Sequence, residues 1–282
     1  MARIIDGKAI SAQIRDEIKS ETEAFTASHG IAPSLTVIIV GEDPASQVYV
    51  RNKHKACGQV GITSDVIALP GETSEEELLS LIDILNGDKT VNGILVQLPL
   101  PAHINEKNII KRISPQKDVD AFGYENVGRI LVGDFDFLPC TPAGVMELLH
   151  RSGITVCGKE CVVIGRSNIV GKPMAALLMH ENGTVTVCHT KTADLKAHTR
   201  RADILVSSVG KANFITADMI KEGAVVIDVG INRLQDGKLC GDVDFEGCFE
   251  KAAAITPVPG GVGPMTITML LKNTLTAAKK QN

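Results

Sequence analysis

The chain predicts an α/β fold of two lobes, the second built on a doubly wound parallel sheet. Three observations predict it. Its 282 residues exceed what one hydrophobic core usually serves. Short apolar runs alternate with helical patterns along most of the chain, as parallel strands joined by helices require. From Glu160 onward the alternation becomes regular, with strands expected at 161–164, 185–188, 204–207 and 225–229.

In the first lobe the apolar run 35–40 reads as the first strand. Asp43-Pro44 sets a side-chain acceptor before a Pro at the first helical position, so a helix follows and runs to about Gly61. A short strand near Val66 comes next, then a helix opened by the capping sequence Thr73-Ser-Glu-Glu-Glu77 and a strand at 93–97. The polar, weakly patterned stretch 113–136 reads as a long functional or mobile loop. Thr141-Pro142 repeats the cap-then-Pro start, and a final helix is expected after Pro264, packing back on the first lobe. The expected limits are thus 1–140 plus 264–282 for the first lobe and 141–263 for the second.

Composition narrows the function classes. Apolar residues make up 44% and charged residues 22%, an ordinary globular balance. Twenty-nine basic against thirty-three acidic residues, with no Lys/Arg run, argue against a dedicated nucleic-acid surface. Trp is absent and Tyr occurs twice, which leaves no aromatic base-stacking platform. The seven Cys are odd in number and include no C-x-x-C pair, so they read as free thiols of a reducing compartment with no zinc ligand set. No signal peptide or membrane-length apolar stretch is seen, and a cytoplasmic location is expected.

Several segments carry chemistry. Cys161-Val-Val-Ile-Gly165-Arg-Ser-Asn-Ile-Val-Gly171 is a strand, a Gly-containing turn and a helix start, where backbone N–H groups and the helix dipole suit a pyrophosphate. It departs from G-x-G-x-x-G, lacking the middle Gly, yet it opens the regular series and marks that lobe as Rossmann-like. The next strand ends in His189-Thr190-Lys191 with no carboxylate for ribose hydroxyls, while Arg166 offers charge to a 2′-phosphate. NADP is therefore expected over NAD, held by Gly165, Arg166, Ser167 and Thr190. Gly210 and Ile231 follow later strand ends, where such sheets bind ligands. On a helix Tyr49 and Lys53 share one face, a phenol to cover an aromatic ring and an amine to move a proton. Gln97 closes an apolar strand, between Val96 and Leu98-Pro99, and needs a polar partner. Asp120, in Lys117-Asp-Val-Asp120, could accept a pair of N–H donors from a heteroaromatic ring. Finally, Thr256-Pro-Val-Pro-Gly-Gly-Val-Gly-Pro-Met-Thr266 packs three Pro and three Gly into eleven residues, a stiff loop that lets backbone approach a ligand.

Taken together and in their order along the chain, these motifs resemble the bifunctional methylenetetrahydrofolate dehydrogenase/cyclohydrolases, over nearly the whole chain from about Asp6 to Lys279. The resemblance implies an N-terminal catalytic lobe in which Lys53 is catalytic with Gln97 beside it and Tyr49 near. It implies that Asp120 binds the pterin, that Val96, Leu98 and the loop Pro259, Gly260, Gly261, Val262 and Gly263 contact folate, and that Ile231 meets the nicotinamide. The family usually has Gly where this chain has Ala121, and Ser where it has Thr190. The implied reactions are oxidation of 5,10-methylene-tetrahydrofolate with NADP and hydrolysis of the product to 10-formyl-tetrahydrofolate, serving one-carbon metabolism and purine biosynthesis. A homodimer and the absence of the synthetase region fused to some members are implied as well. To act as a base Lys53 must spend time neutral, which burial or a cationic ligand would favour.

Three other readings compete: a dehydrogenase of this architecture without the hydrolytic step, a nucleotide-binding regulator without turnover, and an amino-acid dehydrogenase with a closing loop. The joint presence of Lys53 and Gln97 favours the bifunctional enzyme over the first. The second would not need Tyr49, Lys53, Gln97 and Asp120 together. The third lacks a basic clamp for a substrate carboxylate at the strand ends.

Overall fold

The structure, a computed structural model, describes residues 1–282. The elements run β1 (Arg3–Ile4), α1 (Gly7–His29), β2 (Ser34–Val40), α2 (Pro44–Gln59), β3 (Thr63–Leu69), α3 (Glu75–Gly87), β4 (Gly93–Val96), α4 (Glu106–Arg112) and α5 (Tyr124–Val132). They continue with α6 (Cys140–Arg151), β5 (Glu160–Ile164), α7 (Gly171–His180), β6 (Thr184–Cys188), α8 (Leu195–Thr199), β7 (Ile204–Ser207) and β8 (Val225–Asp228). The short hairpin β9 (Asn232–Arg233) and β10 (Leu239–Cys240), α9 (Phe245–Phe249), β11 (Ala254–Ile255) and α10 (Val262–Gln281) complete the chain. No helix is long and apolar enough to cross a membrane.

Two compact units result, one of 1–12 with 139–269 and the other of 13–138 with 270–282. The first has a six-stranded parallel sheet in the order β1-β11-β8-β7-β5-β6. The chain enters at β5, moves to β6 on one side and then to β7 on the other, the switch point beside which such sheets bind ligands. Val162, Ile164, Leu205, Val226 and Ile255 form its core with apolar residues of the flanking segments. The second unit has a three-stranded parallel sheet, β3-β2-β4. Its central strand β2 is buried at every position and reads as an apolar run broken only by Ser34 and Thr36, while the edge strand β3 is exposed or half-buried throughout. Ile38, Val40, Leu78, Ile82, Ile94 and Ile109 fill the core beneath.

The unit limits depart from the expected ones at both ends. Residues 1–12 sort with the six-stranded sheet, because β1 pairs with β11 through Arg3↔Ala254 and Ile4↔Ile255. The strand at 35–40 is accordingly the second of the chain, and α1 before it went unread. Its buried positions Ser11, Ile14, Ile18, Thr22 and Phe25 keep helical spacing, but two of them are polar and dilute the apolar period.

Local chemistry explains most starts and stops. Asp43 caps α2 by accepting the Ser46 N–H, with Pro44 following it. Ser74 and Glu77 form a reciprocal capping box at α3. Three expectations are corrected. The stretch 113–136 holds α5, which Gly133 ends in the left-handed conformation (φ 85°) while its N–H bonds back to Arg129 and Ile130. The helix expected from Thr141 begins at Cys140, and the Thr141 hydroxyl lies 3.0 Å from that of Thr266 instead of capping it. The last helix begins at Val262, so Val262 and Gly263 are helical and not loop.

Candidate active site

In the second unit, α2 and the end of β4 bring Lys53 and Gln97 together. Lys53 is buried, and its Nζ donates to Gln97 Oε1 at 3.0 Å. The other end of the amide is fixed too, since Gln97 Nε2 donates to the Leu98 carbonyl at 2.6 Å. The acceptor oxygen is therefore held toward the amine. Gln97 follows β4 directly, its N–H bonded to Ile38 O at 2.8 Å, so the sheet register sets its position. Tyr49, one turn before Lys53, is 40% exposed, open enough for its ring to meet a ligand. The segment after Gln97 passes through a cis Leu98–Pro99 bond.

The Lys117–Asp120 segment lies alongside the same strand. Lys117 O accepts the Ile94 N–H at 2.8 Å, and Asp118 bridges Ile94. The first two residues of the motif are occupied with folding. Lys117 Nζ donates to the carbonyls of Leu85 (2.8 Å) and Asp88 (2.5 Å), satisfying the end of α3. Asp118 accepts the Gly123 N–H at 2.7 Å and Asn126 Nδ2 at 2.9 Å. Burial, with Asp120 nearby, pushes its carboxyl up to about 6. Asp120 follows half-buried, and Ala121 after it takes the left-handed conformation (φ 57°) that Gly would adopt freely. Asn273 of α10 steadies this turn, donating to Val119 O and Leu138 O at 2.8 Å each.

In the first unit the turn after β5 is a cradle without room for side chains. Gly165 has φ 130°, and a Cβ there would stand 2.3 Å from Ser208 Oγ and 2.7 Å from Ser208 O. A Cβ on Gly171 would meet Gly165 O at 2.2 Å, so α7 starts hard against the strand end. Ser167 Oγ accepts the N–H groups of Val170 and Gly171 (3.1 and 3.3 Å) and shapes the turn. Arg166 and Thr190 are exposed near this turn and the end of β6, whose last residue, Cys188, bonds through its carbonyl to the Gly165 N–H. Such a Gly-walled turn at a helix start, with a guanidinium and no carboxylate, fits a dinucleotide carrying a 2′-phosphate.

A cavity of about 140 Å³ lies beside the later strand ends, lined by Lys8, residues 228–231, Leu239 and residues 257–264. It joins Ile231 with Pro259, Gly260 and Gly261 of the loop and with Val262 and Gly263 at the start of α10. The fit is tight: a Cβ on Gly7 would overlap Gly261 O, and one on Gly260 would stand 3.4 Å from Lys8 Cε. Lys8 and Asp228 were not singled out from sequence; Asp228 ends its strand and was readable, whereas nothing marked Lys8. A larger, open groove of about 810 Å³ along β3 includes Gln47, Arg51 and Glu72 but none of the expected site residues. Five of the seven cysteines are buried, and burial pushes those at 57, 161 and 248 up to about 11, leaving them inert.

Residues 5–120 match the model of the tetrahydrofolate dehydrogenase/cyclohydrolase catalytic domain, and residues 139–282 that of the NAD(P)-binding domain. The chain is 60% identical over 279 residues to the bifunctional protein FolD of Moorella thermoacetica, covering 99% of each chain. It superposes on the crystal structure of the FolD methylenetetrahydrofolate dehydrogenase/cyclohydrolase of Campylobacter jejuni with a TM-score of 0.98, at 51% identity and complete coverage of both chains. The Trypanosoma brucei dehydrogenase-cyclohydrolase, solved with NADP cofactor and an inhibitor, gives a TM-score of 0.95 at 41% identity, covering 99% of this chain and 98% of that one.

Proposed function

The chain belongs to the tetrahydrofolate dehydrogenase/cyclohydrolase family, and we propose that Lys53, oriented by Gln97, is the group that carries its hydrolytic step. The enzyme oxidises 5,10-methylene-tetrahydrofolate to the methenyl form with NADP and hydrolyses that product to 10-formyl-tetrahydrofolate. The observation that carries the assignment of Lys53 is its 3.0 Å bond to an amide whose other end is already engaged.

NADP, when bound, accepts the hydride. The first step asks little of side chains beyond positioning, because the folate nitrogens stabilise the cation that forms. Asp120 holds the pterin by its amino and ring N–H groups, Tyr49 covers a ring face, and Val96 and Leu98 flank the site. The stretch from Pro259 to Gly263, loop and then first turn of α10, meets the ligands through backbone. Gly165, Arg166, Ser167 and Thr190 take the cofactor's phosphates, and Gly210 and Ile231 its nicotinamide half. In the second step the neutral amine of Lys53 removes a proton from water as the oxygen adds to the methenyl carbon, then returns it to the folate nitrogen as the C–N bond breaks, while the new hydroxyl releases its proton to solvent and becomes the formyl oxygen. Gln97 Oε1 keeps the nitrogen in one place throughout. The same reading assigns a homodimer in the cytoplasm, which sedimentation and fractionation test.

The test is spectroscopic. Wild-type protein with methylene-tetrahydrofolate and NADP⁺ should yield reduced cofactor without lasting methenyl absorbance. Lys53→Met should still reduce some cofactor but fail to hydrolyse added methenyl-tetrahydrofolate. Full hydrolysis by Lys53→Met removes the assignment. Equal turnover with NAD⁺ removes the role of Arg166.

A further inference from the structure

Two buried carboxylates beneath the strand ends of the first unit take no part in the chemistry above. Asp242 follows the β9–β10 hairpin and exposes 0% of its surface. Its Oδ2 accepts the N–H groups of Val209 (2.7 Å) and Gly210 (3.2 Å) and the Ser207 hydroxyl (3.2 Å). Its Oδ1 accepts the Lys211 N–H (2.9 Å) and Asn232 Nδ2 (3.0 Å). Asp228, the last residue of β8, accepts the N–H groups of Gly230 (2.9 Å), Asp242 (3.0 Å) and Val243 (2.8 Å). The backbone is shaped to these groups. A Cβ on Gly230 would stand 2.2 Å from Asp242 Oδ1, and one on Gly241 would stand 1.8 Å from Asp228 Oδ2.

The consequence concerns direction. In a trans peptide the N–H and C=O point opposite ways. Three successive amides turned onto Asp242 therefore turn the carbonyls of Ser208, Val209 and Gly210 away from it. For Ser208 the target is visible, since its carbonyl oxygen approaches Gly165 in the turn after β5. Asn232, held by the same carboxylate, adjoins Ile231, and Asp228, Gly230 and Ile231 line the 140 Å³ cavity with the glycines of the loop after Pro259. One buried carboxylate thus fixes both the backbone of 208–211, which meets the Gly165 turn, and Asn232, next to the Ile231 that lines the cavity.

We propose that Asp242, seated on Asp228, is a positioning residue for the nicotinamide half of the cofactor, aligning the backbone of residues 208–211 with that at Ile231. The inference rests on the reading of this unit as the NADP site. Fluorescence titration with NADPH tests both separately. A wild type that does not bind NADPH defeats the reading; a wild type that binds, with Asp242→Asn binding equally well, defeats the inference alone. In Asp242→Asn an amide nitrogen replaces one acceptor among amide donors, so NADPH binding should weaken at least 10-fold and the KM for NADP⁺ should rise with it. Hydrolysis of preformed methenyl-tetrahydrofolate, which uses Lys53 in the other unit, should stay within twofold. A parallel loss of hydrolysis and of melting temperature shows a merely structural role and overturns the proposal. Should Asp242→Asn not fold, Asn232→Ala removes a single donor. It should weaken NADPH binding about threefold or more at an unchanged melting temperature, and unchanged binding overturns the proposal.

Discussion

Replacing Gln97 by Glu keeps the side chain's length and exchanges a neutral acceptor for a charged one facing Lys53. The present bond joins Lys53 Nζ to an amide oxygen at 3.0 Å, and Gln97 Nε2 is spent on Leu98 O. A carboxylate there would stabilise the ammonium over the amine. Charge-assisted bonds exceed neutral ones by about 1–2 kcal/mol, and a middle figure applies because Gln97 is half-buried. About 1.4 kcal/mol equals one pH unit, so the neutral amine becomes roughly 10-fold scarcer at pH 7. Hydrolysis of methenyl-tetrahydrofolate by Gln97→Glu should fall by about that factor. The rising limb of its pH–rate profile should move about one unit to alkaline, so that raising the pH restores the rate. Hydride transfer, which needs no neutral amine, should change by less than about threefold. The assay follows loss of methenyl absorbance between pH 6 and 9 beside cofactor reduction on the same preparations. A loss that is the same at every pH would refute the base role, since orientation alone would then be at stake.

Three further outcomes are expected. Asp118 is buried with its carboxyl raised to about 6 from an unfolded value near 3.8, so the protonated form favours the fold; its contribution is full at low pH and lost as pH rises through 6, about 3 kcal/mol in all. Asp118→Asn should lack that loss, so the urea-derived stability of variant minus wild type should climb between pH 4 and 7, and a flat difference contradicts the argument. Ala121→Gly should lie within about 1 kcal/mol of wild type in thermal melts, because relief of left-handed strain is offset by a lost buried methyl and a freer unfolded chain, whereas Ala121→Val should lose 2 kcal/mol or more; a harmless Val would show that the strain is absent. Gly165→Ala places a Cβ 2.3 Å from Ser208 Oγ and 2.7 Å from its carbonyl oxygen, and should weaken NADPH binding 10-fold or more while hydrolysis persists; unchanged binding would remove the turn from the cofactor site.

The parts legible in sequence were those set by local chemistry. Asp43-Pro44, the Ser74 box and the four strands from Glu160 needed no distant partner to be read. β1 is two residues long and exists through its pairing with β11, about 250 positions away, so no local window holds the signal. α1 presents polar Ser11 and Thr22 inward, and the Ser11 hydroxyl is satisfied by Thr268 at 2.8 Å, a partner the sequence does not announce. Site residues followed the same division. Lys53 and Gln97 were named by motif, but their mutual bond depends on the β2–β4 register. Asp242 was missed because an Asp gathering the backbone amides of a distant turn looks, in sequence, like any loop Asp, whereas Asp228 at a strand end was readable.

The sorting of the chain's ends has a consequence for biosynthesis. The first dozen residues complete the sheet of the later unit, and the last thirteen belong to the earlier one. A nascent chain emerging from the ribosome thus holds its opening strand in waiting until Ala254 and Ile255 arrive, and the first-made sheet lacks its closing helix until residues 270–282 have been added. Asn273, which ties down the turn carrying Asp120, is made long after that turn. A stop before Ala254 would therefore leave both halves unfinished, and quality control would meet an incomplete protein, not one sound domain with a damaged appendage.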